Sequence, residues 1–117
     1  MFDHYAFVAI ATTDLGRARR FWVEQLGFPV IREDPGHFFM VDAGGLRLCV
    51  DQADGGVHRA VGADPVIGFK VTSVAEVLKA LAERGIHPEQ PPVAGERGAY
   101  VKLRDPDGRT VIVTEQD

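Results

Sequence analysis

The sequence has little cysteine, no long apolar run and no excess of positive charge. Its 117 residues include a single cysteine, Cys49, so no disulfide can form within the chain. No apolar stretch approaches the length that crosses a bilayer, and the first residues lack the basic and apolar regions of a signal peptide. We therefore expect a one-domain protein of the cytoplasm that makes no contact with a membrane.

The charge balance also argues against a nucleic-acid partner. The formal net charge is −4, whereas a nucleic-acid-binding domain normally carries a basic face. Arg17, Arg19 and Arg20 do cluster, but they lie on one turn of a predicted helix, where a solvated helix surface explains them. Hydrophobic residues make up 45% of the chain and charged residues 26%, which is ordinary usage for a globular protein.

What the sequence does contain is one pattern written twice. A strand-like run over 7–13 leads into a helix that Thr13 or Asp14 can cap and that Gly27 ends. A second run over 66–72 leads into a helix with the same punctuation. There Ser73 is the cap, Glu76 completes a capping box, and Gly85 ends the helix.

Three short strand candidates follow each helix, separated by turn sequences. The candidates are 29–33, 37–42 and 46–51 in the first half, and the proline-rich stretch 88–92, 99–103 and 109–114 in the second. We predict one domain over 1–117 built from two β-α-β-β-β modules, at about 5–52 and 65–116. The polar residues 52–64 connect them.

The order and spacing of four short motifs resemble the vicinal oxygen chelate superfamily. This group includes glyoxalase I, extradiol dioxygenases, fosfomycin-resistance thiol transferases and bleomycin-resistance proteins. The resemblance implies an α+β fold in which two strongly curved mixed sheets form an open, barrel-like pocket with the helices outside. The motifs are Thr13-Asp14-Leu15, Ala18-x-x-Phe21-Trp22, Leu26-Gly27-Phe28 and Asp105-Pro106-Asp107-Gly108.

Strand alternation within this fold assigns side chains to the two faces of each sheet. The side chains predicted to pack on the helices are Val8, Ile10, Ile67, Phe69 and Val71. Those predicted to point into the pocket from the first strand of each module are Phe7, Ala9, Ala11, Val66, Gly68 and Lys70.

The metal ligands that the resemblance implies are missing. Members that do chemistry hold a divalent metal with His and Glu side chains, and the corresponding positions here are Phe7, Val66 and Ile112, with Cys49 nearest on the fourth strand. None of the first three can coordinate a cation. We therefore predict no metal and no cofactor. The four histidines His4, His37, His58 and His87 show no metal-ligand spacing, although a site built from His37 and Glu115 remains an alternative.

Three further groups have competing interpretations. Cys49 could be a nucleophile, but a lone cysteine in a strand is more often a small buried hydrophobe. Asp105 and Asp107 look like paired carboxylates, but in such a turn they serve backbone hydrogen bonds. Arg47, Lys70 and Lys102 either converge on the pocket or extend past the sheet edge into water.

The resulting candidate ligand-binding residues combine apolar, aromatic and cationic side chains. Such a lining suits an aromatic or amphipathic ligand with an anionic or hydrogen-bond-accepting group. The candidates are Phe7, Arg47, Cys49, Val66, Lys70, Tyr100, Lys102 and Ile112.

Three functions are compatible with this pattern. The favoured one is a metal-free protein that sequesters a small molecule, as in the bleomycin-resistance branch. The alternative is a metal-dependent lyase, isomerase or thiol transferase with an unrecognised metal site, which the fosfomycin-resistance-like run over 45–50 mildly favours. A pure dimerisation module is the third. We also predict a homodimer, in which the modules pair within one chain or are exchanged between chains.

Overall fold

The structure, a computed structural model, describes residues 1, 7–53 and 66–115. The predictions for His4, for His58 and for the connector beyond residue 53 lie outside the described residues. Within the described part, no helix is long and apolar enough to cross a membrane.

The first module has the predicted β-α-β-β-β order. Its sheet has the strand order β1-β4-β3-β2, with β1 parallel to β4 and the other pairs antiparallel. The helix α1 continues directly into a π-helical segment over Arg20–Gln25. The elements are β1 (Val8–Thr12), α1 (Leu15–Arg19), β2 (Val30–Asp34), β3 (Phe38–Ala43) and β4 (Leu46–Gln52).

The second module repeats this topology, with the strand order β5-β8-β7-β6. The α+β fold class and the two-module plan are therefore confirmed. The strand predicted over 88–92 is wrong, because β6 begins only at Val93. Pro88, Pro91 and Pro92 have no N–H group to donate to a neighbouring strand. The elements are β5 (Ile67–Lys70), α2 (Val74–Glu83), β6 (Val93–Gly95), β7 (Gly98–Arg104) and β8 (Thr110–Thr114).

Both helices begin with the side-chain caps that the sequence indicates. Asp14, rather than Thr13, caps α1, since its Oδ1 accepts a hydrogen bond from the N–H of Arg17 at 3.1 Å. Ser73 caps α2, where its Oγ accepts from the N–H of Glu76 at 3.2 Å. Each cap satisfies a first-turn N–H that has no partner within the helix.

One hydrophobic core joins the two modules. Trp22 on the first helical segment is fully buried, and its ring lies 6.4 Å from the ring of Phe69 on β5. Phe28 completes the aromatic cluster, with its ring centroid 6.2 Å from that of Trp22 and 5.2 Å from that of Phe69. Because the second module's first strand packs on the first module's helix, neither sheet buries its apolar side independently.

The burial of Ile10 and Ile67 agrees with the predicted alternation along β1 and β5, whereas Val8 is only partly buried and does not belong to the core. Ile10 and Ile67 belong to the core and are 4% and 5% exposed. Phe7 and Val66, which precede these strands on the opposite parity, are 51% and 59% exposed. We call the side of each sheet that faces away from the helices its open face.

The turn between β7 and β8 ties the second module to the first. Asp105 and Arg109 are buried and form an ion pair, and Asp105 Oδ1 also accepts from the N–H groups of Asp107 and Arg109. Nη2 of Arg109 donates to the carbonyl oxygen of Ala11 on β1 at 2.8 Å. Asp107 Oδ1 accepts from the N–H and the hydroxyl of Thr13, each at 3.1 Å. The two carboxylates therefore accept hydrogen bonds, as predicted. Those of Asp107 with Thr13 also connect the two modules.

Candidate functional site

The structure divides the eight candidate ligand-binding residues between the two sheets. Two lie on β4 and one precedes β1, whereas the other five belong to the second module. The first group is Phe7, Arg47 and Cys49, and the second is Val66, Lys70, Tyr100, Lys102 and Ile112.

The open face of the first sheet is centred on Cys49. Ala9 and Met40 are its direct neighbours on β1 and β3, and Cys49 is 6% exposed. Its Sγ donates a weak hydrogen bond to Oδ1 of Asp51 at 3.6 Å. Burial, followed by the charge of Asp51, raises the pKa of the thiol to about 11. The thiol is therefore protonated near neutral pH, which fits the buried hydrophobe and not the nucleophile.

Sequence reasoning missed the contribution of β2 and β3 to this face. The guanidinium of Arg32 lies 5.8 Å from the ring centroid of Phe38, within reach of a cation–π contact. Met40 connects Arg32 with Cys49 across the sheet, because it pairs with Arg32 on β2 and with Cys49 on β4. The alternation of β3 could have assigned Phe38 and Met40 to the open face, since Phe39 and Val41 belong to the core.

The open face of the second sheet brings four candidates into two adjacent rows. Lys102 pairs with Ile112 on β8, and Ile112 pairs with Gly68 on β5. In the next row Tyr100 pairs with Thr114, which pairs with Lys70. Lys70 and Lys102 are exposed, whereas Tyr100 and Ile112 are half-buried. This face combines two cations with an aromatic and an aliphatic side chain.

A cavity of about 290 Å³ adjoins this open face. The cavity lies along β7, and two of the candidate ligand-binding residues, Tyr100 and Lys102, line it. Its other walls come from the proline-rich stretch and from β6. The remaining lining residues are Glu89, Gln90, Pro91, Val93, Val101 and Arg104.

A second cavity, of about 370 Å³, lies beside α1 in the first module. It is bordered by the ion pair between Arg19 and Glu33, whose Nε and Oε2 atoms are 2.9 Å apart. Phe38 and Phe39 supply its apolar wall. None of the eight candidate residues lines this cavity, so it lies apart from the predicted site.

The residues at the metal positions do not fit a divalent cation. Phe7, Val66 and Ile112 have hydrocarbon side chains, and a metal site needs several converging donors. Among the described residues, no three His, Cys, Asp or Glu side chains group together as a metal site.

The alternative ligand pair of His37 and Glu115 is not supported either. Oε2 of Glu115 accepts from the N–H of Val74 at 2.8 Å, and Oε1 accepts from the N–H of Ala99 at 2.9 Å. These backbone hydrogen bonds hold the pKa of Glu115 below its ordinary value. Both carboxylate oxygens therefore hold α2 and β7 in place. His37 ends the turn before β3, in the other module.

The sequence profile described as "Glyoxalase/Bleomycin resistance protein/Dioxygenase superfamily" matches residues 2–113. No curated protein matches the chain.

Solved structures of the same fold cover nearly the whole chain. A glyoxalase family protein from Enterococcus faecalis is 27% identical, with a TM-score of 0.76 over 97% of this chain and 98% of that one. TioX from Micromonospora sp. ML1 is 20% identical, with a TM-score of 0.77 over 98% and 100%. Lactoylglutathione lyase from Agrobacterium tumefaciens is also 20% identical, with a TM-score of 0.73 over 95% and 92%. The last two likenesses show the fold alone.

Proposed function

The chain belongs to the Glyoxalase/Bleomycin resistance protein/Dioxygenase superfamily, and from that premise we propose that it binds a small aromatic or amphipathic molecule without a metal ion. The observation that carries this proposal is the apolar set Phe7, Val66 and Ile112 at the positions where the family resemblance implies metal ligands. Hydrocarbon side chains offer no lone pair to a cation, but they favour contact with an apolar ligand surface.

The cations on the open face of the second sheet favour a ligand that carries an anionic group. Lys102 lies at one end of the row that contains Ile112, and Lys70 lies at one end of the row that contains Tyr100. An ammonium group attracts a carboxylate or sulfonate, and the neighbouring ring and aliphatic side chain favour contact with an aromatic body. Sequestration of an antibiotic-like compound in the cytoplasm is the corresponding biological role.

The state of Cys49, on the open face of the first sheet, argues against covalent catalysis by this thiol. A thiol whose pKa is about 11 is almost entirely protonated at pH 7, and the protonated form is a poor nucleophile. Its hydrogen-bond partner is the carboxylate of Asp51, which disfavours the thiolate further. Binding, rather than thiol transfer by the protein itself, is the chemistry that these residues support.

The test combines elemental analysis with binding of an aromatic sulfonate. The untagged protein should contain no stoichiometric Zn, Ni, Mn or Fe, and 8-anilinonaphthalene-1-sulfonate should bind saturably at one site per chain in the presence of EDTA. The variants Lys102→Glu and Val66→Asp should weaken binding, whereas Lys79→Glu on the exposed side of α2 should not. Near-UV circular dichroism of each variant separates loss of the site from loss of tertiary packing.

Near-stoichiometric metal that chelation removes would overturn the proposal. It would favour the metal-dependent lyase, isomerase or thiol transferase instead.

We also propose that the protein is a homodimer. Phe7 and Val66 are large apolar residues that a single chain leaves more than half exposed. A second copy or a bound ligand would remove these side chains from water, with a favourable free energy. Light scattering over a dilution series tests this assembly. A mass of one chain at every concentration would remove the dimer and require all binding residues to come from one chain.

A further inference from the structure

The outer edge of β7 is paired over only part of its length. β7 runs from Gly98 to Arg104, but β6 pairs with it only as far as the contact between Val93 and Tyr100. Among the residues that the structure describes, no strand pairs with this edge from Val101 onward. In the first module the equivalent edge is covered further, because Arg32 on β2 pairs with Met40, the counterpart of Lys102.

The hydrogen bonds to β8 determine which backbone groups face the uncovered edge. The carbonyl of Ala99 accepts from the N–H of Glu115, and the N–H of Asp105 donates to the carbonyl of Arg109. In an antiparallel ladder, every second residue directs its polar backbone groups to the same neighbour. Val101 and Leu103 therefore face β8, whereas Lys102 and Arg104 direct their N–H and C=O groups outward.

Proline explains why residues 88–92 do not extend the pairing of β6 along this edge. If the pairing of Val93 with Tyr100 continued in register, Pro91 would lie opposite Lys102 and Glu89 opposite Arg104. Pro91 has no N–H to donate to the carbonyl of Lys102. Instead, the cavity of about 290 Å³ separates residues 89–91 from β7. We call this space the edge slot.

We propose that the edge slot binds a short, extended acidic peptide, which pairs as an added strand with the backbone of Lys102 and Arg104. Backbone pairing at an open sheet edge provides affinity, and side chains on alternate residues provide specificity. Directly opposed residues of antiparallel strands place their side chains on the same face. Acidic residues two positions apart would therefore lie beside Lys102 and Arg104, and at least three peptide residues are needed to reach both.

The surrounding charges fix the side on which the acidic groups lie. The side chain of Lys102 is exposed, and the guanidinium of Arg104 is held by the carbonyl of Gly108 and the hydroxyl of Thr110, at 3.1 and 3.0 Å. Glu89 is on the opposite wall and repels acidic groups there. The slot uses no residue of the first sheet and no metal, but it shares Lys102 and Tyr100 with the small-molecule face proposed above, so the two ligands are tested separately.

The experiment uses a hexapeptide of alternating glutamate and valine, acetylated and amidated, with the full chain. In nuclear magnetic resonance spectra the backbone amides of Lys102 and Arg104 should shift on titration, and their hydrogen exchange should slow. In the free protein these two amides should exchange faster than those of Val101 and Leu103, which bond to β8. Equally slow exchange of all four would show that the edge is already covered, which overturns the proposal.

Matched peptides separate backbone pairing from charge attraction. N-methylation of the glutamate amides removes the donors that face Lys102 and Arg104, and it should weaken binding about tenfold. N-methylation of the valine amides changes the other edge and should leave the affinity within about threefold. Equal affinity of the two methylated peptides, or no measurable binding of the parent peptide, would contradict the proposal.

Two protein variants complete the test. Lys102→Glu should weaken binding of the acidic peptide and make it less dependent on salt, whereas Lys79→Glu should change neither. If Lys102→Glu binds as tightly as the unmodified protein, the peptide does not lie on this face. Binding of the aromatic sulfonate is measured in parallel with that of the methylated peptides. If the sulfonate binds as expected but the peptides give no sign of backbone pairing, the edge slot is rejected and the small-molecule proposal is unaffected.

Discussion

The two modules hold the first turn of their helices with different side chains at the same place in the fold. In the first module, Oε1 of Gln52 accepts from the N–H of Leu15 at 3.0 Å. In the second, Oε2 of Glu115 accepts from the N–H of Val74 at 2.8 Å. The backbone around them also repeats, since the N–H of Gln52 bonds to His37 and that of Glu115 bonds to Ala99, each at 2.9 Å. The comparison shows that the topology fixes the hydrogen bond, whereas the acceptor can be either a neutral amide or a charged carboxylate.

The turns before the last strands of the modules differ more. In the first module, Gly44 and Gly45 form a tight turn in which the carboxylate of Asp42 accepts from the N–H of Gly45 at 2.8 Å. In the second, the longer turn contains the buried pair of Asp105 and Arg109, which bonds to β1 of the first module. The first turn is thus held by a bond within its own hairpin, while the second also holds the modules together.

The largest expected effect comes from breaking the turn that joins the modules. Arg109→Met removes the partner of a buried carboxylate and the donor to Ala11, so we expect the free energy of unfolding to fall by about 3–5 kcal/mol. Arg104→Met, in the same hairpin but exposed, should cost less than about 1 kcal/mol. Urea denaturation of the two variants measures the difference. Similar losses would show that the buried pair does not stabilise the joined modules.

The next test compares two equivalent glycines, Gly36 in the turn before β3 and Gly98 at the start of β7. Gly36 and Gly98 have φ angles of 85° and 124°, which strain any residue with a Cβ. A Cβ at Gly36 would meet no atom within 4 Å, whereas one at Gly98 would lie 2.7 Å from Cβ of Glu115. Gly36→Ala should therefore cost about 1 kcal/mol and Gly98→Ala about 2–3 kcal/mol. Thermal unfolding ranks the two, and equal losses would contradict the predicted contact with Glu115.

A reciprocal exchange of Gln52 and Glu115 is expected to have a smaller effect. Glu115→Gln leaves one oxygen for two N–H donors, and its new NH₂ group faces one of those donors. Gln52→Glu removes the NH₂ group that donates to the carbonyl of Thr13 at 2.9 Å. Each variant should unfold at a lower urea concentration than the unmodified protein at pH 7. An unchanged midpoint in both would mean that the two side chains are interchangeable.

The same exchange has a defined pH dependence. Hydrogen bonds from Val74 and Ala99 hold the pKa of Glu115 below its ordinary value of 4.5 in the folded state. The carboxylate's contribution to stability is therefore complete above the unfolded-state pKa and is lost as the pH falls through the folded-state pKa. The stability difference between the unmodified protein and Glu115→Gln should shrink below about pH 4.5. A difference that does not change between pH 7 and pH 3 would contradict this assignment.

The smallest effect on stability concerns Cys49, whose counterpart in the second module is Ile112. Burial raises the pKa of the thiol to about 11, so the unfolded chain ionises first as the pH rises. Stability should therefore decline from about pH 9 upward, and Cys49→Val should abolish that decline at little cost near pH 7. Thiolate absorbance and alkylation by iodoacetamide at pH 8 provide the measurement. Rapid alkylation of the folded protein at pH 8 would contradict a buried, protonated thiol.

The sequence predicted the parts of the fold that depend on near neighbours. The cap at Ser73 and the glycine that ends each helix follow from local hydrogen bonding and backbone conformation. The burial of Ile10 and Ile67 follows from strand alternation. The strand predicted over 88–92 is wrong, because the module repeat predicts a strand there whereas Pro91 and Pro92 lack the N–H groups that pairing needs.

Which residues of the candidate site act together remains a prediction, because the sheets divide them. The sequence identified Phe7, Val66 and Ile112 as apolar and Lys102 and Tyr100 as members of the open face. It did not identify Arg32 or Met40, whose positions on the first open face depend on the pairing of β2, β3 and β4. Register between strands depends on contacts across the whole sheet, and strand composition does not specify it.

The sequence by itself determined the two-module plan, the cap at Ser73 and the absence of metal-binding side chains at the three apolar positions. Only the tertiary structure decided the role of Arg109, which bonds to Ala11 far away in the chain, and the place where β6 stops pairing with β7. The physical reason is the distance along the sequence between the groups that interact. Caps and alternation arise from neighbours a few residues apart, whereas a buried guanidinium and an unpaired sheet edge are defined by what the rest of the chain brings beside them.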